Sequence, residues 1–114
     1  MSIEATDAES AAVAVAPRVA LSDIEAAITA RYDLNAYEIV RHLNCPVRDE
    51  LKPMSVCILV MKNGFTVIGK SAPASPANFN ADLGKKLAYE DCIRQLWPMM
   101  AFALRDKLHA ERKD

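Results

Sequence analysis

Two runs of β-forming apolar residues, 55–61 and 65–69, are separated only by Lys62-Asn63-Gly64. Asn-Gly between two such runs is the strongest short-range hairpin signal, because a type I′ turn needs positive φ at both central residues. In the first run Val56, Ile58 and Val60 project to one side, while Cys57, Leu59 and Met61 project to the other. Both faces are therefore apolar. A two-stranded hairpin alone is marginal in water. One face must pack on helices, and the other needs more strands, more helix or a second subunit. The hairpin thus predicts a homo-oligomer, a dimer being the smallest.

The flanking segments read as helical. Ser22 followed by Glu25 has the form of a capping box, and Asp23 and Glu25 suit the positive end of a helix dipole. Ile24, Ala27, Ile28 and Tyr32 recur at roughly helical spacing. Asp33-Leu34-Asn35 weakens the pattern, and Asn35 with Glu38 caps a second stretch, from about Ala36 to Leu43, with Ile39, Val40 and Leu43 on its buried side. The region is one helix with a weak middle or a helix split in two. It ends at Asn44-Cys45-Pro46, since the residue before a proline avoids the α conformation. Residues 46–53, with two prolines and four charges, read as a solvated loop, and so do residues 71–79.

The last helix is capped by Asn78 or Asn80 and runs from about Ala81 to about His109. Gly84, Ala88 and Cys92 recur every fourth residue and form a narrow ridge that lets another element approach closely. Leu96, Met100 and Leu104 continue the stripe, flanked by Leu83, Leu87, Ile93, Trp97 and Leu108. Pro98 lacks a backbone donor, and its ring crowds the carbonyl of Arg94, which predicts a kink or break between Arg94 and Trp97. The charged stretch from Arg105 onward is expected to fray. The fold class is α+β: an N-terminal helix, whole or split, a β-hairpin and a long C-terminal helix kinked near Pro98. Residues 1–17, rich in Ala and Ser and ending in Pro17, read as a flexible tail, or a frayed helix over part of it. Residues 18–114 read as one small domain.

Charge and cysteine content exclude several classes. The net charge is −1, which gives no bulk attraction for nucleic acid or anionic lipid. Three acids, Glu4, Asp7 and Glu9, precede the first base, Arg18, so the remainder is formally +2, too weak for a nucleic-acid footprint. No apolar run approaches the ~20 residues of a membrane helix, and residues 11–16 are too short and too acidic in context for a secretory signal. Cys45, Cys57 and Cys92 imply no disulfide framework. Together these features predict a cytosolic protein. His42 and Cys45 have the gap of half a zinc site, but no second ligand pair follows, so neither a metal nor another cofactor is expected. The same two residues lack a third group or an oxyanion loop, and no catalytic residue is assigned.

Two places invite a ligand or partner. Asn78, Asn80, Lys85 and Lys86 gather at a helix start, where two lysines oppose the dipole and a loop can offer N–H groups to a phosphate. Capping and solvation explain the same residues without a ligand. Trp97 lies on the apolar stripe as a core anchor, or as a partner-binding hot spot. Tyr32, Tyr37 and Arg41 line a surface if the first helices are continuous, or pack and snorkel.

The ordered set Asn63-Gly64-Phe65, Ser75-Pro76, Asn78-Phe79, Gly84, Ala88, Trp97-Pro98 and Leu104, with the strands before it, resembles a family of short tailed-phage and prophage proteins named after gene 49 of one phage and gene 66 of another. The resemblance covers residues 55–108 and implies a phage or prophage origin and action in the host bacterial cytoplasm. It brings no established catalytic residues. The function expected is a non-enzymatic accessory protein that binds a host macromolecule, with a host defence component as one such target. The alternatives are a binder or sequesterer of a small anionic ligand such as a nucleotide signal, and a minor structural component of the virion.

Overall fold

A computed structural model describes residues 2–112. Its elements are α1 (Ile3–Val13), α2 (Leu21–Ala26), β1 (Ile28–Asn35), α3 (Ala36–His42), β2 (Ser55–Met61), β3 (Thr66–Ser71) and α4 (Ala81–Glu111), with short 3-10 turns at Asp49–Leu51 and Pro76–Asn78. The three strands form one antiparallel sheet in the order β1-β2-β3. The class is α+β, with α4 across one face of the sheet.

The hairpin forms, but its turn is not the type I′ expected. Met61 accepts from the N–H of Gly64 at 2.9 Å, and the N–H of Met61 donates to Phe65 at 2.8 Å. Only Gly64 in this turn has positive φ, +86°. Asn63 keeps negative φ and uses Oδ1 to accept from the N–H of Phe65 at 3.0 Å. A three-residue loop with glycine in the left-handed position is a common hairpin connection, and it sets Val60 opposite Thr66, one residue away from the register that a two-residue Asn63-Gly64 turn would give.

The larger correction is at residues 28–35, where a strand stands in place of the expected helix. Ile28, Ala30, Tyr32 and Leu34 alternate with Thr29, Arg31, Asp33 and Asn35, a period of two that overlaps the helical spacing. Tertiary pairing selects the strand. Asp33 lies opposite Cys57, Tyr32 opposite Ile58 and Arg31 opposite Leu59. A third strand is thus supplied within the chain; it extends the sheet beside β2 and leaves Tyr32 and Ile68 exposed. Helix α2 is short as a result. Its first turn is closed by Asp23, whose carboxylate accepts from the N–H of Ala20 at 2.8 Å, rather than by Ser22 and Glu25. Helix α3 is capped by Asn35, whose Oδ1 accepts from Glu38, and it stops where Asn44 adopts φ +60°.

The core lies between the sheet and α4. Cys57, Leu59, Met61 and Val67 meet Ala88, Cys92, Ile93 and Leu96, and Ile3 and Ile24 close one side. The ridge of small residues works as expected. A Cβ on Gly69 would lie 2.3 Å from the carbonyl oxygen of Ala88, and one on Gly84 would lie 2.3 Å from Oγ of Ser55. Helix α4 continues unbroken through Pro98 to Glu111, so of the two outcomes expected there, a break does not occur. Both Arg94 and Pro98 are exposed, so water can satisfy the carbonyl that the proline leaves without a donor. The stretch from Arg105 is helical rather than frayed as far as Glu111.

Residues 3–13 are helix, in the stretch read as a flexible tail or, over part of it, a frayed helix. Ser2 caps it by accepting from the N–H of Ala5 at 3.0 Å. Ile3 enters the core at 5% exposure. Asp7 accepts from Arg18 at 2.8 Å and from the N–H of Leu21 at 3.0 Å, which returns the chain after Pro17 to the body of the protein. The ends of that reading, residues 1, 113 and 114, lie outside the described residues.

Candidate functional site

Beyond Trp97 the core demands little of α4, yet residues 96–104 carry no charge. Leu96, Met99, Met100 and Ala103 fall on one helical face, spaced three and four apart. That face meets Met61 at the end of β2, Phe65 at the hairpin tip and Ala27 behind it. Together they line an apolar groove of about 470 Å³, rimmed by Lys62 and Asn63. The hairpin tip is tied in place by the N–H of Lys62, which donates to Ala27 at 2.8 Å. Met99 and Phe65 remain 42% and 52% exposed, and the neighbouring Phe102 reaches 71%. Three methionines in or beside one groove make a lining that can adapt to the shape of an apolar guest.

The opposite flank of the same helical stretch carries Trp97. Its indole Nε1 donates to the carbonyl of Val19 at 3.0 Å, so the ring clamps the segment that follows α1. One side of the ring lines a second groove of about 430 Å³ with Pro17, Ala101, Leu104 and Leu108. The residue singled out in the sequence is therefore both a packing anchor and part of a surface.

The four residues considered for an anion are not brought around one cavity. Asn80 caps α4, its Oδ1 accepting from the N–H of Leu83 at 3.0 Å, and Gly84 donates to the Asn80 carbonyl at 2.8 Å. Asn78 and Asn80 border a small depression with Pro53, Pro73 and Leu87. Lys85 lies in a different cavity, of about 350 Å³, together with Asp33, Glu38 and His42. Those carboxylates oppose a second negative charge there. Lys86 is exposed.

The remaining chemically capable groups are separated. Cys45 Sγ contacts the carbonyl of Leu43 at 3.5 Å, while His42 faces Glu38 at 3.8 Å. Cys57 and Cys92 are buried, and the Cys92 thiol donates to the Cys57 carbonyl at 3.4 Å. Burial, then the neighbouring Cys57, pushes the Cys92 thiol up to about 12. Burial also raises Cys57. Glu90 is 5% exposed and its Oε2 has no hydrogen-bond partner. Among the described residues no group of three or more His, Cys, Asp and Glu is placed to hold a metal ion. No helix among them is long and apolar enough to cross a membrane. The groove under the hairpin tip was missed in the sequence. Its signal was the charge-free span 96–104, which is apolar all around the helix rather than on one stripe.

Residues 19–108 match the family model described as the phage protein (N4 Gp49/phage Sf6 gene 66) family, and the chain belongs to that family. The match takes in α2, β1 and α3 as well as the segment that carried the resemblance. No curated protein and no solved structure gives a significant match.

Proposed function

Starting from membership of this phage family, we propose that the chain is a non-enzymatic accessory protein that acts in the bacterial cytoplasm and binds a host protein. The contact surface is the distal half of α4 with the hairpin tip. The observation that carries this reading is the exposure of Phe65 and Met99 in one apolar groove, with Phe102 exposed outside its lining, three residues after Met99 on the same helix. A contiguous apolar patch on a small protein marks an interaction site more often than a scattered set of exposed apolar residues does. Aromatic and methionine side chains are also the types enriched at protein interfaces.

The test is gentle recovery of tagged protein from a bacterial host, followed by native mass spectrometry, in the wild type and in a Met99→Glu, Phe102→Glu variant. The proposal expects a host protein at defined stoichiometry with the wild type and its loss from the variant. The same host protein on both, or none on either, refutes it. A small added mass of a phosphate compound would instead direct attention to Lys85 and Lys86.

A further inference from the structure

We propose that two copies of this chain pair edge to edge along β1, antiparallel and about a two-fold axis at Tyr32, to make one six-stranded sheet. The proposal is independent of the groove described above and rests on the sheet.

Among the described residues, the two edges of the sheet are covered unequally. Along β3, Asp91 accepts from the backbone N–H of Lys70 at 3.0 Å, and Gln95 donates to the carbonyl of Ile68 at 2.8 Å. Side chains of α4 therefore take one outward N–H and one outward C=O of that edge, where a further strand would have to bond. Among the described residues, none covers the β1 edge in this way. Arg31, Tyr32 and Asp33 are all exposed.

The hydrogen-bond alternation shows which β1 groups face outward. Met61 bonds to Phe65, so the odd residues of β2 face β3 and the even ones face β1. Their partners Ala30, Tyr32 and Leu34 turn their backbone groups inward. The N–H and C=O groups of Arg31 and Asp33 point away from the sheet, available to another strand. A strand binding there must match that spacing.

Charge selects the occupant. When β1 pairs antiparallel with itself about Tyr32, Arg31 of one copy faces Asp33 of the other, and the same contact repeats by symmetry. Opposite charges directly across a ladder are favourable, and like charges are unfavourable. Centring the axis on Arg31 or on Asp33 would place like charges together, so the sequence favours one register. The Arg31 guanidinium is already held 4.0 Å above the Tyr89 ring and 3.1 Å from Asp33 of its own chain, which limits the side-chain ordering that pairing requires. On the face away from α4, Tyr32, Ile58 and Ile68 form a row across the three strands, with Tyr32 and Ile68 exposed to 53% and 61%. Pairing joins two such rows at Tyr32. The β1 edge, used isologously, closes at two copies rather than extending into a filament.

The test uses the full chain in sedimentation-velocity runs over a range of concentrations, with Arg31→Asp, Asp33→Arg and an equimolar mixture of the two. The wild type should dimerise. Each single variant should raise the dimer dissociation constant at least about tenfold, since both symmetric pairs turn repulsive. The mixture should recover the dimer, because the two acids of one chain then face the two bases of the other. A monomeric wild type, or a dimer indifferent to both variants, overturns the proposal. Hydrogen exchange on the unaltered protein gives a second reading that no folding defect can confuse. The Arg31 and Asp33 amides should exchange more slowly as concentration rises, and concentration-independent exchange there would equally overturn it. Dimerisation protected at the hairpin tip or α4 instead of β1 would assign the second copy to the apolar groove and reject the edge.

Discussion

Gly69 offers the sharpest test of how the sheet and α4 are held together. In Gly69→Ala the new Cβ falls 2.3 Å from the Ala88 carbonyl oxygen, 2.7 Å from Cys92 Sγ and 2.9 Å from the Cys92 backbone nitrogen. Two of those three atoms are backbone and cannot rotate away, so β3 and α4 must separate by roughly 1 Å, a gap that forfeits a quarter to a half of each lost dispersion contact. Overpacking of this kind costs about 1–3 kcal/mol. Alanine returns up to about 1 kcal/mol through its smaller backbone entropy loss. Taking the middle of that range, the net expectation is about 1–2 kcal/mol of destabilisation, which at about 4 °C per kcal/mol lowers Tm by about 4–8 °C. Urea unfolding followed by circular dichroism would measure it. Gly84→Ala provides the internal control, because its 2.3 Å neighbour is Ser55 Oγ, a side-chain atom. Ser55→Gly should therefore recover Gly84→Ala by at least about 1 kcal/mol in a double-mutant cycle. Cys92→Ala should recover little of Gly69→Ala. A Gly69→Ala protein within about 0.5 kcal/mol of wild type, or one fully rescued by Cys92→Ala, would refute the backbone-contact argument.

Three further outcomes follow from groups described above. Cys92 has a folded value near 12 against an ordinary 9.0, so its contribution to stability is complete below pH 9 and is lost as pH rises toward 12; Tm should decline over that window, and a flat profile would contradict it. The Arg18 and Leu21 hydrogen bonds hold the Asp7 carboxyl below its ordinary 3.8, so docking of α1 should weaken as pH falls below about 4; Asp7→Asn should speed exchange of the Leu21 amide at neutral pH, and unchanged exchange would count against that anchor. Glu90 leaves one buried carboxylate oxygen unpartnered, and Arg94 approaches the other only to 3.9 Å. Glu90→Met should therefore stabilise the fold by about 1 kcal/mol, read from the urea midpoint, whereas a loss of stability would reveal that the carboxylate is needed in the core.

The parts of the fold legible in the sequence were those with local causes. Asn63-Gly64 announces a turn, and the spacing of Gly84, Ala88 and Cys92 announces close packing, because both depend on a few residues in a row. Strand β1 was hidden because Ile24, Ala27, Ile28 and Tyr32 satisfy a helical period while residues 28–35 also satisfy a strand period. The choice is made by β2, which lies some twenty residues later in the chain. Helix α1 was hidden for a similar reason, since Asp7 finds its partners at Arg18 and Leu21. The turn type at Asn63 escaped because asparagine serves equally as a left-handed residue and as an acceptor for the amide two positions on. Of the candidate sites, Trp97 was found because a lone tryptophan draws notice. The groove on the other flank was not, because Met99 and Ala103 lie off the main stripe and only the absence of charge across residues 96–104 betrays them.

Helix α4 spans about 46 Å at 1.5 Å per residue, in a molecule 61 Å long. Its first four turns are committed to the sheet, where Gly84, Ala88, Cys92 and Ile93 leave no room for change. Past Pro98 nearly every side chain meets solvent. Substitutions at the exposed positions there change the surface while leaving the core contacts of Gly84, Ala88 and Cys92 in place, so one helix serves as scaffold over its first half and as surface over its second.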